Sequence, residues 1–238
     1  MQAIILAGGL GTRLKSVVSD KPKVLSLVAE KPFLNYIIQY LLQQGIHHFI
    51  FSLGHLADHV VDFLNENYSN LNYQIVIEET PLGTGGGIKK AMEYVTEDNF
   101  FIINADTFFD VSLKDMMGVH LQNNADCTIA LKQMNYYDRY GTVIIDEKNT
   151  IVSFKEKQFT DHGLINGGYI IFNKSFYNMA SQNLPDVFSY EKEILEKNVA
   201  STIIKGFISD GYFIDIGIPE DYLKAQKVFK SFPVTAGN

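Results

Sequence analysis

Ala3-Ile4-Ile5-Leu6-Ala7-Gly8-Gly9-Leu10-Gly11-Thr12-Arg13-Leu14 is the stretch on which the reading of the whole chain turns. Ile4, Ile5 and Leu6 form a short apolar run that stops abruptly at Gly8-Gly9. A strand that is apolar at successive positions is covered on both faces, which is the condition of a parallel sheet between helix layers. Gly8, Gly9 and Gly11 carry no Cβ, so their backbone N–H groups can come close to a phosphate and curl around it. Arg13 adds a guanidinium fork matched to phosphate oxygens. A tight strand exit with an ordinary surface arginine accounts for the same residues, so the stretch alone leaves both readings open. Two other motifs are excluded. The P-loop ends in Gly-Lys-Ser/Thr, where this chain has Gly11-Thr12-Arg13, and the dinucleotide fingerprint needs a third glycine where Leu14 stands.

Working outward, Asp20 to Leu25 places Lys21 and Lys23 around Pro22. Pro32 opens a helix through Gln44, with Phe33, Tyr36, Ile37, Tyr40 and Leu41 on one face and Gly45 as its stop. Phe49 to Phe51 lies in a second strand, Leu56 to Glu66 forms a second helix, and Tyr73 to Ile77 forms a third strand. That strand ends in Glu78-Glu79-Thr80-Pro81-Leu82-Gly83-Thr84-Gly85-Gly86-Gly87, after which a third helix is expected. Phe100 to Ile103 then runs into Asn104-Ala105-Asp106. Repeated strand–loop–helix order with short connections predicts a parallel α/β sheet with right-handed crossovers. Ligands of such sheets gather beyond the carboxyl ends of the strands. Gly8 to Arg13, Glu78 to Gly87 and Asn104 to Asp106 all belong to that edge.

From Ala125 the pattern changes to strands with fewer helices between them, at 127–131, 141–145, 151–154 and 169–172. This half is read as a mixed sheet that carries a second substrate. Helices resume at 175–180 and 190–196, and a strand at 212–214 delivers Asp215-Ile216-Gly217 before Pro219 starts a last helix. The tail from Phe232 to Asn238 is expected to fray. No repeat, low-complexity segment or interdomain linker interrupts the 238 residues, which are read as one domain, with 1–124 as one half and 125–238 as the other.

Composition narrows the partners. Hydrophobic residues make up 46% and charged residues 20%, values of an ordinary globular chain. A net charge of −7 argues against broad contact with nucleic acid or anionic membranes, so a nucleotide pocket must be positive only locally. Cys127 is the one cysteine, so no disulfide forms within the chain. No signal-like opening and no apolar run of membrane-spanning length occurs, and the cytoplasm is the expected compartment. His55 and His59 are four apart, but Leu56 stands where the zincin pattern has Glu, so they are not read as metal ligands.

With these residues assembled, the chain resembles the sugar-nucleotidyltransferases, the pyrophosphorylases that join a nucleoside triphosphate to a sugar 1-phosphate. The marks are Leu6 to Leu14, Lys21-Pro22-Lys23, Pro81-Leu82-Gly83-Thr84-Gly85-Gly86, Asn104-Ala105-Asp106 and Asp215 to Tyr222. Within the family, Leu131 to Met134, Asp138 to Val143 and Leu164 to Gly168 look most like the D-glycero-D-manno-heptose 1-phosphate guanylyltransferases. Many relatives have Gly-Asp where this chain has Ala105-Asp106, which keeps the carboxylate but changes the backbone before it. The resemblance implies a Rossmann-like three-layer α/β/α fold with a mixed, mostly parallel central sheet. It makes 1–124 the nucleotide-binding half and 125–238 the sugar-phosphate-binding half.

The same resemblance implies a reaction and a set of roles. A sugar-phosphate oxygen attacks the α-phosphorus of GTP and expels pyrophosphate, which requires positioning and charge neutralisation rather than a covalent nucleophile. Asp106 and Asp215 match the family's two metal carboxylates, and Mg²⁺ suits such hard oxygen donors. Arg13 holds the departing phosphates and Lys23 neutralises charge near the α-phosphate. Leu6, Gly8, Gly9, Gly11, Thr12, Glu78, Gly83 and Thr84 line the nucleotide, while Gly141, Glu156, Lys157, Asn166 and Gly168 line the sugar phosphate. Guanine offers adjacent N1–H and N2–H₂ donors that one carboxylate can accept together, and either Glu78 or Glu79 can fill that place. Lys21 has no assigned role. The alternatives are a uridylyl- or thymidylyltransferase acting on a hexose or amino-sugar 1-phosphate, a glycosyltransferase of similar fold, and a non-catalytic nucleotide-sugar sensor. The last is expected to have lost Arg13, Lys23 or a metal carboxylate, all of which are present. A homodimer is a further expectation that no residue pattern decides.

Overall fold

A computed structural model describes residues 1–9 and 21–231. The first half contains β1 (Gln2–Leu6), β2 (Leu27–Val28), β3 (Lys31–Pro32), α1 (Phe33–Gln43), β4 (His48–Leu53), α2 (Ala57–Asn67), β5 (Tyr73–Ile77), α3 (Gly83–Ala91), β6 (Asn99–Asn104), β7 (Thr107–Phe109) and α4 (Leu113–Gln122). The second contains β8 (Cys127–Tyr137), β9 (Thr142–Ile145), β10 (Ile151–Lys155), β11 (Thr160–Asn173), α5 (Lys174–Ser181), a π-helical segment at Glu191–Glu196, β12 (Ile204–Ser209), β13 (Phe213–Asp215) and α6 (Pro219–Val228). The central sheet has the order β5-β4-β1-β6-β11-β8-β12, and β11 alone runs against the others. β9 and β10 branch from the first part of β11, where Leu164 and Ile165 pair with Val143 and Thr142.

Alternation along the strands explains the layers. Ala3, Ile5, Phe49, Phe51, Phe101 and Ile103 pack to one side with α1, α2, α4 and α6. Ile4, Ile50, Phe100, Ile102, Ile170 and Phe172 pack to the other with α3, α5 and the 191–196 segment. Both faces of the sheet are therefore covered, which is why β1 reads as a continuous apolar run. The result is the expected three-layer α/β/α sandwich with a mixed, mostly parallel sheet.

Several elements depart from the sequence reading. The glycine run expected to precede the third helix lies within it, since α3 begins at Gly83. The helix α4 and the strand β12 have no counterpart in that reading. In α4, Gly118 interrupts the apolar period, and the helix rests on the Ser112 cap, whose Oγ accepts from the Asp115 N–H at 3.2 Å, and on the inward Leu113, Met116 and His120. β12 carries a buried Lys205, whose Nζ donates to the Lys148 carbonyl and to Thr150 Oγ1, so its charge hides a strand signal. His120 ties β6 to β8: its ring nitrogens lie 2.9 Å from Thr128 Oγ1 and 3.0 Å from Asn99 Oδ1. Burial pushes its pKa down to about 4, so the ring is neutral and bridges the two strands. Among the described residues no helix is long and apolar enough to cross a membrane. The tail at 232–238 lies outside the described residues.

Candidate active site

Strand exits build the site. Ala105 N–H donates to the Leu6 carbonyl at 3.1 Å and Ala7 N–H to the Ser52 carbonyl at 2.9 Å, so the ends of β6, β1 and β4 are laced into one edge. Two clefts open there. The first, about 340 Å³, is lined by Leu6, Gly8, Gly9, Ser52, Glu78, Pro81, Gly83, Thr84, Asn104 and Asp106. The second, about 550 Å³, is lined by Asp106, Asp215, Tyr140, Gly141, Glu156, Lys157, Asn166 and Gly168, and by further residues from β9, β10 and the 191–196 segment. Thr84, Asn104 and Asp106 belong to both. The structure thus brings together on the first cleft the described residues expected to line a nucleotide, and on the second all those expected to line a sugar phosphate. Gly11, Thr12 and Arg13 lie outside the described residues.

Asp106 and Asp215 come side by side through a short ribbon that is remote in sequence. β7 and β13 pair antiparallel, with Thr107 opposite Asp215, and the Ile216 N–H donates to the Asp106 carbonyl at 3.0 Å. Asp106 accepts from Lys23 Nζ through Oδ2 and from the Thr107 hydroxyl at 3.2 Å through Oδ1. Asp215 accepts from the Gly217 N–H at 2.6 Å and from the Tyr140 hydroxyl at 3.4 Å. Burial, and then the neighbouring Asp106 charge, raise the Asp215 pKa, while Lys23 acts in the opposite sense. Two like charges held together in a part-buried place are stabilised by a cation between them. The donor set is two hard carboxylates on the wall shared by both clefts. It fits Mg²⁺, which takes one or two protein carboxylates and fills its sphere with phosphate oxygens and water. Lys23 sits in a helical turn at Lys23–Leu25, while Lys21 beside it is exposed.

The wall of the smaller cleft is shaped by close backbone approach. Glu78 is half-buried and accepts from the Ser52 hydroxyl at 3.2 Å and the Leu82 N–H at 2.9 Å. Glu79 is exposed and lines neither cleft, so Glu78 is the carboxylate that faces the crevice. The start of α3 is clasped by the chain before the π-helical segment: Gly85 N–H donates to the Phe188 carbonyl at 2.9 Å and Phe188 N–H to the Leu82 carbonyl at 3.0 Å. A Cβ on Gly86 would lie 2.0 Å from the Asp186 carbonyl oxygen, so only glycine fits there. The glycine run read as a ligand loop is therefore also a packing surface. Thr84 Oγ1 donates to Glu191 Oε2 at 2.9 Å and fixes the same junction.

The larger cleft is framed by a register shift in β11 between Asn166 and Ile170. Gly168 there has φ +78° and lies against Asn104, and its N–H donates to Asn166 Oδ1 at 2.9 Å. The shift turns the Asn166 side chain into the cleft wall. Glu156 and Lys157 follow β10 and are exposed at the rim of the cleft. Ser189, Glu191, Lys192 and Glu196 also line this cleft and are absent from the sequence reading. They come from an irregular helical segment whose orientation no local spacing reveals. Tyr140 was within reach as the neighbour of Gly141.

The fold, the glycine-rich strand exits and the paired carboxylates define a class. A family model described as nucleotidyl transferase matches residues 2–231, and the chain belongs to that family. A D-glycero-alpha-D-manno-heptose 1-phosphate guanylyltransferase of Aneurinibacillus thermoaerophilus is 47% identical over 232 residues, covering 98% of this chain and 100% of the relative. One of Campylobacter jejuni is 42% identical, covering 93% of this chain and 97% of the relative. Among solved structures, HddC from Yersinia pseudotuberculosis complexed with GMP-PN superposes with a TM-score of 0.86 at 39% identity, covering 96% of this chain and 99% of that one.

Proposed function

We propose that this protein is a sugar-1-phosphate guanylyltransferase that joins GTP to D-glycero-α-D-manno-heptose 1-phosphate and releases pyrophosphate, supplying GDP-heptose for surface-glycan assembly. The observation that carries this reading is the meeting of two clefts at one carboxylate, Asp106, with Asp215 beside it. A transferase that couples two phosphorylated substrates needs such a junction. The near full-length likeness to two heptose 1-phosphate guanylyltransferases supports the particular substrates.

In this reading the smaller cleft takes the nucleotide and the larger takes the sugar phosphate. Asp106 and Asp215 hold Mg²⁺, which when bound offsets the charge of the phosphates. Lys23, set on Asp106 Oδ2, lies at the junction where the α-phosphate is attacked and contributes a further positive charge. Arg13 holds the leaving pyrophosphate. Glu78 accepts from guanine N1 and N2, with Gly83 and Thr84 as neighbours. Asn166, Gly141 and Gly168 set the sugar, with Glu156 on a sugar hydroxyl and Lys157 on the sugar phosphate. The attacking oxygen is already an anion in the phosphate monoester, so the step needs no general base, and preorganised positive groups supply the catalysis.

The test is pyrophosphate release from GTP, UTP and dTTP, each with heptose, mannose and glucose 1-phosphates. GTP with the heptose phosphate is expected to give the highest kcat/KM. A preference for UTP or dTTP overturns the guanylyl assignment, and no release with any pair overturns the transferase. Arg13→Ala is expected to lower turnover with every sugar phosphate accepted.

A further inference from the structure

Behind Asp215 runs a chain of contacts whose outer members, Arg139 and Asp221, have no part in the proposed reaction. Asp221, in the first turn of α6, is 8% exposed and accepts from Arg139 Nη2 at 2.5 Å and Lys224 Nζ at 2.9 Å. The Arg139 guanidinium lies 5.3 Å from the centroid of the Tyr140 ring. Tyr140 in turn donates to Asp215 Oδ2 at 3.4 Å, and Phe213 braces its ring edge-on at 6.0 Å. The other Asp215 oxygen is taken by the Gly217 N–H. The Asp215 carboxylate is thus held on one side by its own turn and on the other by Tyr140. The circuit closes through the chain, since β13 ends at Asp215 and α6, which carries Asp221, begins at Pro219.

Arg139 and Asp221 do not line the cleft, whereas Tyr140, Gly141 and Asp215 do. An arginine that gripped a phosphate would face the cleft, so Arg139 acts through its neighbours. Its Nη2 is held by Oδ2 of a buried carboxylate, an arrangement more rigid than an exposed pair. Lys224, with its side chain 70% exposed, adds little order of its own. We infer that the Arg139–Asp221 pair is a positioning device that presses Tyr140 against Asp215, fixing that carboxylate for a divalent cation and Gly141 for the sugar phosphate. The inference rests on the metal reading of Asp215 given above.

Mn²⁺ alone, titrated into the full-length protein and followed by electron paramagnetic resonance, tests it without turnover. Loss of an outer partner of a metal ligand weakens metal binding by roughly 10- to 100-fold. Arg139→Ala and Asp221→Asn are each expected to raise the Mn²⁺ Kd by about tenfold or more, and to raise half-saturating Mg²⁺ for pyrophosphate release in parallel. Tyr140→Phe, which removes the direct partner of Asp215, raises both by at least as much, and Lys224→Ala leaves both unchanged. Where the alanine variant fails to fold, Arg139→Lys keeps the charge without the fork and is expected to give an intermediate Kd. A folded Arg139→Ala or Arg139→Lys protein that binds Mn²⁺ as the wild type does, with only Tm lowered, overturns the positioning role. A wild type that binds no Mn²⁺, or an Asp215→Asn variant that binds it normally, overturns the metal reading and the inference with it.

Discussion

The two clefts share Asp106, Asn104 and Thr84 yet are built by opposite means. The smaller one lies where parallel strands β1, β4, β5 and β6 end, and its wall includes Gly8, Gly9 and Gly83 with the carboxylate of Glu78 beside the shared Asp106. The larger one lies where β11 reverses direction and sheds β9 and β10, and its wall carries Glu156, Lys157, Glu191, Lys192 and Glu196. Parallel strand ends present N–H groups and helix starts, which suit an extended phosphate chain whatever is attached to it. A branching antiparallel sheet presents side chains at varied depths, which suits a small polyol that must be told from its isomers. In the proposed reading the first cleft takes phosphate and base, and the second sets sugar identity.

Breaking the shared point should abolish the distinction. Asp106→Asn and Asp215→Asn each remove charge at the junction, and turnover is expected to fall roughly 10²- to 10³-fold with every substrate pair. Pyrophosphate release at saturating Mg²⁺ measures this, with circular dichroism showing an intact fold. Near-normal turnover in either variant would break the comparison at its centre.

On the smaller cleft, Glu78→Gln removes the acceptor pair proposed for guanine. An unpaired donor costs about 1–3 kcal/mol, so kcat/KM for GTP should drop roughly 10- to 100-fold. ITP lacks the N2 amine, so the wild type should prefer GTP and the variant should narrow the GTP-to-ITP ratio. The same change also withdraws an acceptor from Ser52 or from the Leu82 N–H, so Tm should fall slightly. An unchanged ratio moves base recognition to the loop backbone.

Gly86→Ala tests whether the glycine run serves packing. Its Cβ would meet the Asp186 carbonyl oxygen at 2.0 Å, so a stability loss of about 1–3 kcal/mol is expected from forced backbone movement. Denaturant titration reads it, and KM for GTP should rise as the start of α3 shifts. An unaltered midpoint would mean that the 186–188 segment is free to yield.

On the larger cleft the effect should be the smallest and the most selective. Lys157 is exposed at the rim, so Lys157→Ala is expected to raise KM for the sugar phosphate by about tenfold, a loss of roughly 1.4 kcal/mol, and to leave KM for GTP unchanged. A change confined to GTP would place Lys157 on the wrong substrate.

The sequence by itself determined the layered α/β class, the edge at which ligands gather, and the identity of most residues lining the smaller cleft. Ile4 to Gly9 and Phe100 to Asp106 declare themselves because a doubly buried parallel strand is continuously apolar and its ligand-bearing exit is abruptly polar or glycine-rich. The family motifs at Lys21 to Lys23 and Asp215 to Tyr222 named further residues without saying what they touch. Only the tertiary structure decided that Glu78 rather than Glu79 faces the crevice, that Lys23 sits on Asp106, and that α3 begins inside the glycine run. It alone placed residues of the 189–196 stretch on the wall of the larger cleft and joined Arg139 to Asp221 across 82 positions. Local periodicity reports which face of an element is covered. It carries nothing about which distant element does the covering, and contacts such as the β7–β13 pairing and the β11 register shift are set by the packing of the whole sheet.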